Sequence, residues 1–167
     1  MKRFFKLILF TGILFLLAGC GQRQQTKTTT SHNHEQVNQV TTSEKNETTK
    51  INVNINGTEL KAHLNNFSAA KAFAKELPTT LSFRDFMDMP EKVADLNHSL
   101  TTKGMPSGHE GTKGAIGYWS PQQRIVFYYG TEDYYEGIHI IGAFDSDNYH
   151  DVVKNMGNNV NVRISKD

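Results

Sequence analysis

The sequence predicts a mainly β fold, a small closed or nearly closed β-barrel with one or two short helices. Three observations carry this. Residues 51–64 alternate apolar and polar side chains on either side of Asn56-Gly57. After Pro78, short apolar runs recur with turn residues between them. A single clear stretch of helical period, residues 67–77, separates the two regions. Many short strands with few helices suit a barrel better than alternating βαβ units, and closure leaves no exposed sheet edge.

In order along the chain, Ile51, Val53 and Ile55 point one way while Asn52, Asn54 and Asn56 point the other, as in a half-buried strand. Asn56-Gly57 supplies the two left-handed residues of a type I′ turn, and alternation resumes at Leu60, Ala62 and Leu64, so residues 51–64 are a hairpin. Phe67, Ala70, Phe73, Ala74 and Leu77 then recur at helical spacing, with Asn66 or Ser68 as the N-terminal cap and Pro78 as the stop. This helix is expected across a sheet with both phenylalanines inward. Strands follow at about residues 80–87, 93–100, 115–119, 124–129, 138–144 and 160–165. A short helix is expected from Asn148 to Met156, closed by Gly157.

Composition divides the 167 residues into three unlike segments. Residues 1–20 have Lys2, Arg3 and Lys6, then an apolar run from Leu7 to Leu17 that is too short for a comfortable membrane span, then small residues before Cys20. This predicts a lipoprotein signal peptide: Leu17-Ala18-Gly19-Cys20 is similar to a bacterial lipobox. The resemblance implies a diacylglyceryl group on the Cys20 thiol, palmitate-type acyl chains, cleavage before Cys20 and attachment to the outer side of the cell membrane. Residues 21–50 contain 18 Thr, Gln, Asn or Ser and are expected to be a disordered tether spanning roughly 30 Å. Residues 51–167 are the folded domain, with 11 basic and 14 acidic residues, a net charge of −3. That balance argues against a nucleic-acid surface. Cys20 is the only cysteine, which excludes an internal disulfide, a cysteine zinc site and a thiol nucleophile within the domain.

Several patterns invite a chemical role. Gly104, Gly108, Gly111, Gly114 and Gly117 recur every three or four residues, but Lys113-Gly114-Ala115 leads into a strand, unlike a phosphate loop. They are expected to form a mobile loop over the barrel mouth. Tyr128, Tyr129, Tyr134 and Tyr135 flank the acidic pair Glu132-Asp133, with Trp119 upstream. These five aromatic residues are candidate ligand contacts, although cross-strand packing is the more ordinary role for such residues. Glu91-Lys92 is expected to be a structural salt bridge. Scattered histidines without an H-E-x-x-H spacing give no metal site, and no cofactor is predicted.

The run Leu64-Asn65-Asn66-Phe67-Ser68-Ala69-Ala70-Lys71-Ala72-Phe73, then Leu77-Pro78, Glu91-Lys92 before Leu96, Gly114-Ala115-Ile116-Gly117-Tyr118-Trp119-Ser120-Pro121, Ile125 to Gly130, and Ile140-Ile141-Gly142 resembles the bacterial cyclophilin-like domain family. The likeness covers essentially all of residues 51–167 and implies a cyclophilin-like barrel with a helix plugging an opening. One departure is Ala115, where the family usually has Asp. True cyclophilins isomerise prolyl bonds with an Arg that hydrogen-bonds the substrate, a Phe/Met pocket and a nearby Gln. The resemblance therefore marks Arg84, Phe86 and Met87 as candidates, although the Gln-Gly-Gly run is absent and Asp88-Met89-Pro90 stands instead.

The reading that follows is a membrane-anchored extracytoplasmic lipoprotein whose barrel is a binding or interaction module rather than an enzyme. Its partners are the membrane, through lipid on Cys20, and exported proteins or peptides. The alternatives are an extracytoplasmic peptidyl-prolyl isomerase and a small-ligand-binding lipoprotein.

Overall fold

The computed structural model describes residues 47–167. The expected signal peptide, Cys20 and nearly all of the expected tether lie outside them. The elements are β1 (Thr49–Ile55), β2 (Thr58–Leu64), α1 (Ser68–Lys75), β3 (Thr79–Asp85), β4 (Glu91–Asp95), β5 (Gly108–Gly111), β6 (Ala115–Trp119), β7 (Arg124–Tyr128), β8 (Glu132–Glu136), β9 (Ile138–Phe144), α2 (Tyr149–Lys154) and β10 (Val160–Lys166). Eight strands close an antiparallel barrel in the order β1-β10-β3-β4-β7-β6-β9-β2, and β5 and β8 pair separately. Residues 47–167 lie in one compact unit, and the barrel closes with strands drawn only from residues 49–166.

The opening hairpin forms as its alternation dictates, in register from Thr49–Leu64 to Ile55–Thr58. Asn56 and Gly57 take φ of 51° and 85°, the left-handed pair that a type I′ turn requires. Pairing begins two residues before the expected boundary, because Thr49 and Lys50 find Leu64 and His63 opposite them.

Helix α1 buries Ala69, Ala70, Phe73 and Ala74 against the barrel, and full burial of Phe73 alone stabilises by about 2 to 3 kcal/mol. The expectation for Phe67 is corrected: it is the N-cap residue, 46% exposed, and its amide donates to Asn65 Oδ1 at 3.1 Å. Ser68 supplies no side-chain cap, its buried hydroxyl making no hydrogen bond among the described residues. The Leu77–Pro78 peptide is cis.

Inside the barrel Phe83 stacks on Phe127 with ring centroids 4.1 Å apart, and Phe144 meets Phe127 edge-on at 5.0 Å. At the β2–β9 seam the backbones approach so closely that a Cβ on Gly142 would lie 2.1 Å from the His63 carbonyl oxygen. The strand expected over 93–100 is instead Glu91–Asp95; the Leu96 amide still donates in register to the Gln123 carbonyl at 2.7 Å, but Gln123 is left-handed, with φ of 56°, and the pairing goes no further. The chain beyond it is pinned where the Leu100 amide donates to the Tyr118 hydroxyl at 2.9 Å.

The glycine-rich stretch also departs from expectation. Its middle is β5, which pairs with β8 from Gly108–Glu136 to Gly111–Glu132. This two-stranded flap packs on the outside of the barrel wall rather than over its mouth. A Cβ on Gly108 would lie 2.4 Å from the Tyr135 carbonyl oxygen, and one on Gly111 would lie 2.4 Å from the Tyr128 ring. These two glycines permit close packing.

Candidate binding pocket under the flap

Alternation along β4 sends Ala94 into the barrel and Glu91 and Val93 outward, opposite Tyr128 and Val126 of β7. The outward residues Val93, Ala115, Val126, Tyr128 and Ile138 form a second, smaller apolar cluster under the flap, with Phe86, Trp119 and Ile140 packed against it. Within it lies a cavity of about 260 Å³. Its floor comprises Glu91, Val93, Trp119, Arg124, Val126, Tyr128 and Ile138, its roof Glu132 and Tyr135 of β8, and its side Phe86 and Met89 of the turn after β3. The Tyr128 ring is held between the flap and the wall, since a Cβ on Gly117 of β6 would also strike it, at 2.7 Å.

Glu91 is 8% exposed, and its carboxyl accepts no hydrogen bond and makes no ion pair among the described residues. Burial pushes it up to about 7, with the Glu132 charge adding to the shift and Arg124 opposing it. Burial and then the neighbouring Asp133 also raise Glu132. Tyr128 is held far above the usual phenol range by burial, then by Glu91 and Glu132, so it stays neutral. The arrangement can therefore present a carboxyl that changes charge near neutrality inside an apolar, aromatic enclosure.

Arg124 is only partly committed to the cavity. Its Nε donates to Asp95 Oδ1 at 2.8 Å, and its guanidinium lies 4.9 Å from the Phe86 ring centre. Asp95 also receives both terminal nitrogens of Arg84, Nη1 at 2.8 Å and Nη2 at 3.1 Å. The two arginines hold the Asp95 carboxyl below its ordinary value, the Arg84 bond most of all.

Of the sequence candidates, Phe86, Trp119, Tyr128 and Tyr135 meet at the cavity. Arg84 faces the same side but is taken up by Asp95. Met87 is 80% exposed and points away, its place being taken by Met89. Tyr129 donates to the Met89 carbonyl at 3.2 Å and packs against the barrel's inner cluster; Tyr134 is 54% exposed, with its hydroxyl near Ser107. The expected Glu91–Lys92 salt bridge does not form, because neighbours in a strand face opposite sides. Lys92 instead reaches Asp85 at 2.5 Å and the Gly157 carbonyl at 3.0 Å. Arg124 and Ile138 carry no motif in the sequence, and Glu132 and Met89 stand there only within the acidic pair and Asp88-Met89-Pro90; the period-2 register linking Glu91 to the outer face is the available signal.

Across the flap, a second hollow is lined by Phe67, Met105, Pro106, His109 and His139, among others. Burial lowers the His139 pKa, the Pro106 carbonyl opposing, and its Nε2 lies 3.2 Å from Ser120 Oγ. Among the described residues no three His, Cys, Asp or Glu side chains gather as a metal site, and no helix is long and apolar enough to cross a membrane.

The family model described as the cyclophilin-like family matches residues 53–165. Among solved structures, the solution structure of a hypothetical protein from Archaeoglobus fulgidus is similar, with a TM-score of 0.52 at 14% identity, covering 75% of this chain and 99% of that one. At that identity the likeness is one of fold. No curated protein matches the chain.

Proposed function

The chain belongs to the cyclophilin-like family, and we propose that it is a lipid-anchored, extracytoplasmic binding module whose ligand enters the cavity between the barrel wall and the β5–β8 flap. The cavity carries this reading: a half-open apolar and aromatic hollow, lined by one largely buried carboxyl that no neighbouring side chain pairs, is arranged for a ligand. The address rests on the basic start, the short apolar run and Leu17-Ala18-Gly19-Cys20. Labelling with a fatty-acid analogue, lost in Cys20→Ala together with membrane retention, tests the anchor. Trp119 is the only tryptophan and lines the cavity, so its emission reports occupancy. Titration of residues 42–167 with Xaa-Pro peptides and with benzyl alcohol is expected to shift that emission and the amide resonances of Val93 and Ile138. No shift with any probe rejects the binding reading.

One observation favours peptidyl-prolyl isomerisation as a second reading: Arg124, Phe86, Met89 and Trp119 come together on the outer wall, an arginine beside an apolar pocket. Exchange spectroscopy on Xaa-Pro peptides tests it, with acceleration lost in Arg124→Ala and kept in Arg84→Ala. Without acceleration the protein binds and does not catalyse.

A further inference from the structure

Resting on the cavity as a binding site, the inference here concerns what it selects. Six side chains with polar or charged ends bear on the space from the elements around it. Glu91 comes from β4, Arg124 and Tyr128 from β7, and Glu132 and Tyr135 from β8, while Trp119 of β6 has its indole nitrogen turned to Gln122. Arg124 is bound to Asp95 and laid on Phe86, and Tyr128 is neutral. That leaves two carboxyls, Glu91 and Glu132, neither with a hydrogen-bond or ion-pair partner among the described residues. Around them stand the rings of Trp119, Tyr128, Tyr135 and Phe86.

An anion entering here meets two acids. A neutral apolar ligand fills the space but leaves Glu91 buried and unpaired. A hard metal ion needs about six oxygen ligands, and two carboxyls among aromatic rings do not supply them. An ammonium group on a small apolar body satisfies every surface at once: it gives Glu91 its missing partner, and ring faces attract cations. We propose that the cavity is a receptor for an organic ammonium group, held by Glu91 and Glu132, whose apolar body lies against Trp119 and Tyr135.

Benzylamine, benzyl alcohol and benzoate have nearly the same shape and differ in charge, so calorimetry of residues 42–167 with the three separates the possibilities. Benzylamine is expected to bind about tenfold or more tightly than benzyl alcohol at about pH 8, the scale of a charge-assisted hydrogen bond. Glu91→Gln is expected to abolish that preference while retaining the alcohol's affinity. At about pH 6.5, two buffers of different ionisation heat are expected to show protons released as benzylamine binds, a readout that needs no variant. Equal binding of amine and alcohol, tighter binding of benzoate, or a preference that survives in folded Glu91→Gln overturns the ammonium assignment and leaves the pocket standing. If none of the three probes binds or moves the Val93 and Ile138 amides, the pocket falls with it.

Discussion

Glu91 and Tyr128 stand directly opposite each other on β4 and β7, both turned to the outer wall, and the Tyr128 ring is clasped between Gly111 of the flap and Gly117 of β6. A carboxyl and a neutral phenol thus share one largely apolar hollow, which places an ionisable group where its charge is disfavoured.

The first prediction concerns that charge. In the unfolded chain Glu91 titrates near the ordinary glutamate value of 4.5, and in the fold burial pushes it up to about 7. The folded state therefore binds its proton more tightly, so its contribution is fully present below about pH 4.5 and declines as pH rises, the loss being complete above about 7. Glu91→Gln is expected to be more stable than the parent by about 2 kcal/mol at pH 8, after discounting for solvent at the cavity mouth, with little difference near pH 4. Urea denaturation of both proteins across this range checks it.

Asp95 binds two arginines from two neighbouring strands. Being half exposed, each pair is worth about 0.5 to 1 kcal/mol. A double-mutant cycle on Arg84→Ala and Asp95→Ala is expected to give a coupling of that size at pH 7. Because the Asp95 pKa is depressed, the coupling persists above the ordinary carboxylate range and vanishes as acid protonates the group. A coupling unchanged at about pH 2 contradicts this account.

Gly117→Ala is expected to cost about 1 to 3 kcal/mol, because its Cβ would lie 2.7 Å from the Tyr128 ring. In a Tyr128→Ala background the same substitution is expected to cost almost nothing. Thermal melts of the four proteins separate this contact from a general intolerance of the strand.

Gly142→Ala is expected to be worse, about 3 kcal/mol or more, since its Cβ meets a backbone oxygen that cannot swing away. The β2–β9 seam should open, and the Asn65 amide, which donates to the Ile141 carbonyl at 2.9 Å, should exchange faster with solvent.

Much of the barrel was legible because its signals are local. Asn56-Gly57 sets a hairpin by itself, and the strands at Ala115–Trp119 and Ile138–Phe144 coincide with their apolar runs. Strands β5 and β8 were not legible: Gly-His-Glu-Gly and Glu-Asp-Tyr-Tyr-Glu have little apolar alternation, and each becomes a strand only because the other lies beside it on a ready-made wall. The pocket was half legible for the same reason. Trp119, Tyr128 and Tyr135 stand out by type, whereas Glu91 and Arg124 acquire meaning only from register across β4 and β7. Lys92 shows the cost of reading adjacency as contact: one residue from Glu91 along the chain, it lies on the other face of the strand.

Strand β1 lies between β10 and β2, hydrogen-bonded on both sides. A force applied along the axis of this strand would load both ladders together in shear. Unzipping, in which bonds yield one after another, needs a pull across the strand instead. The cavity lies on the wall formed by β4, β7 and β6, away from β1. A load entering through β1 would therefore be borne on a side of the barrel separate from the side that holds the cavity.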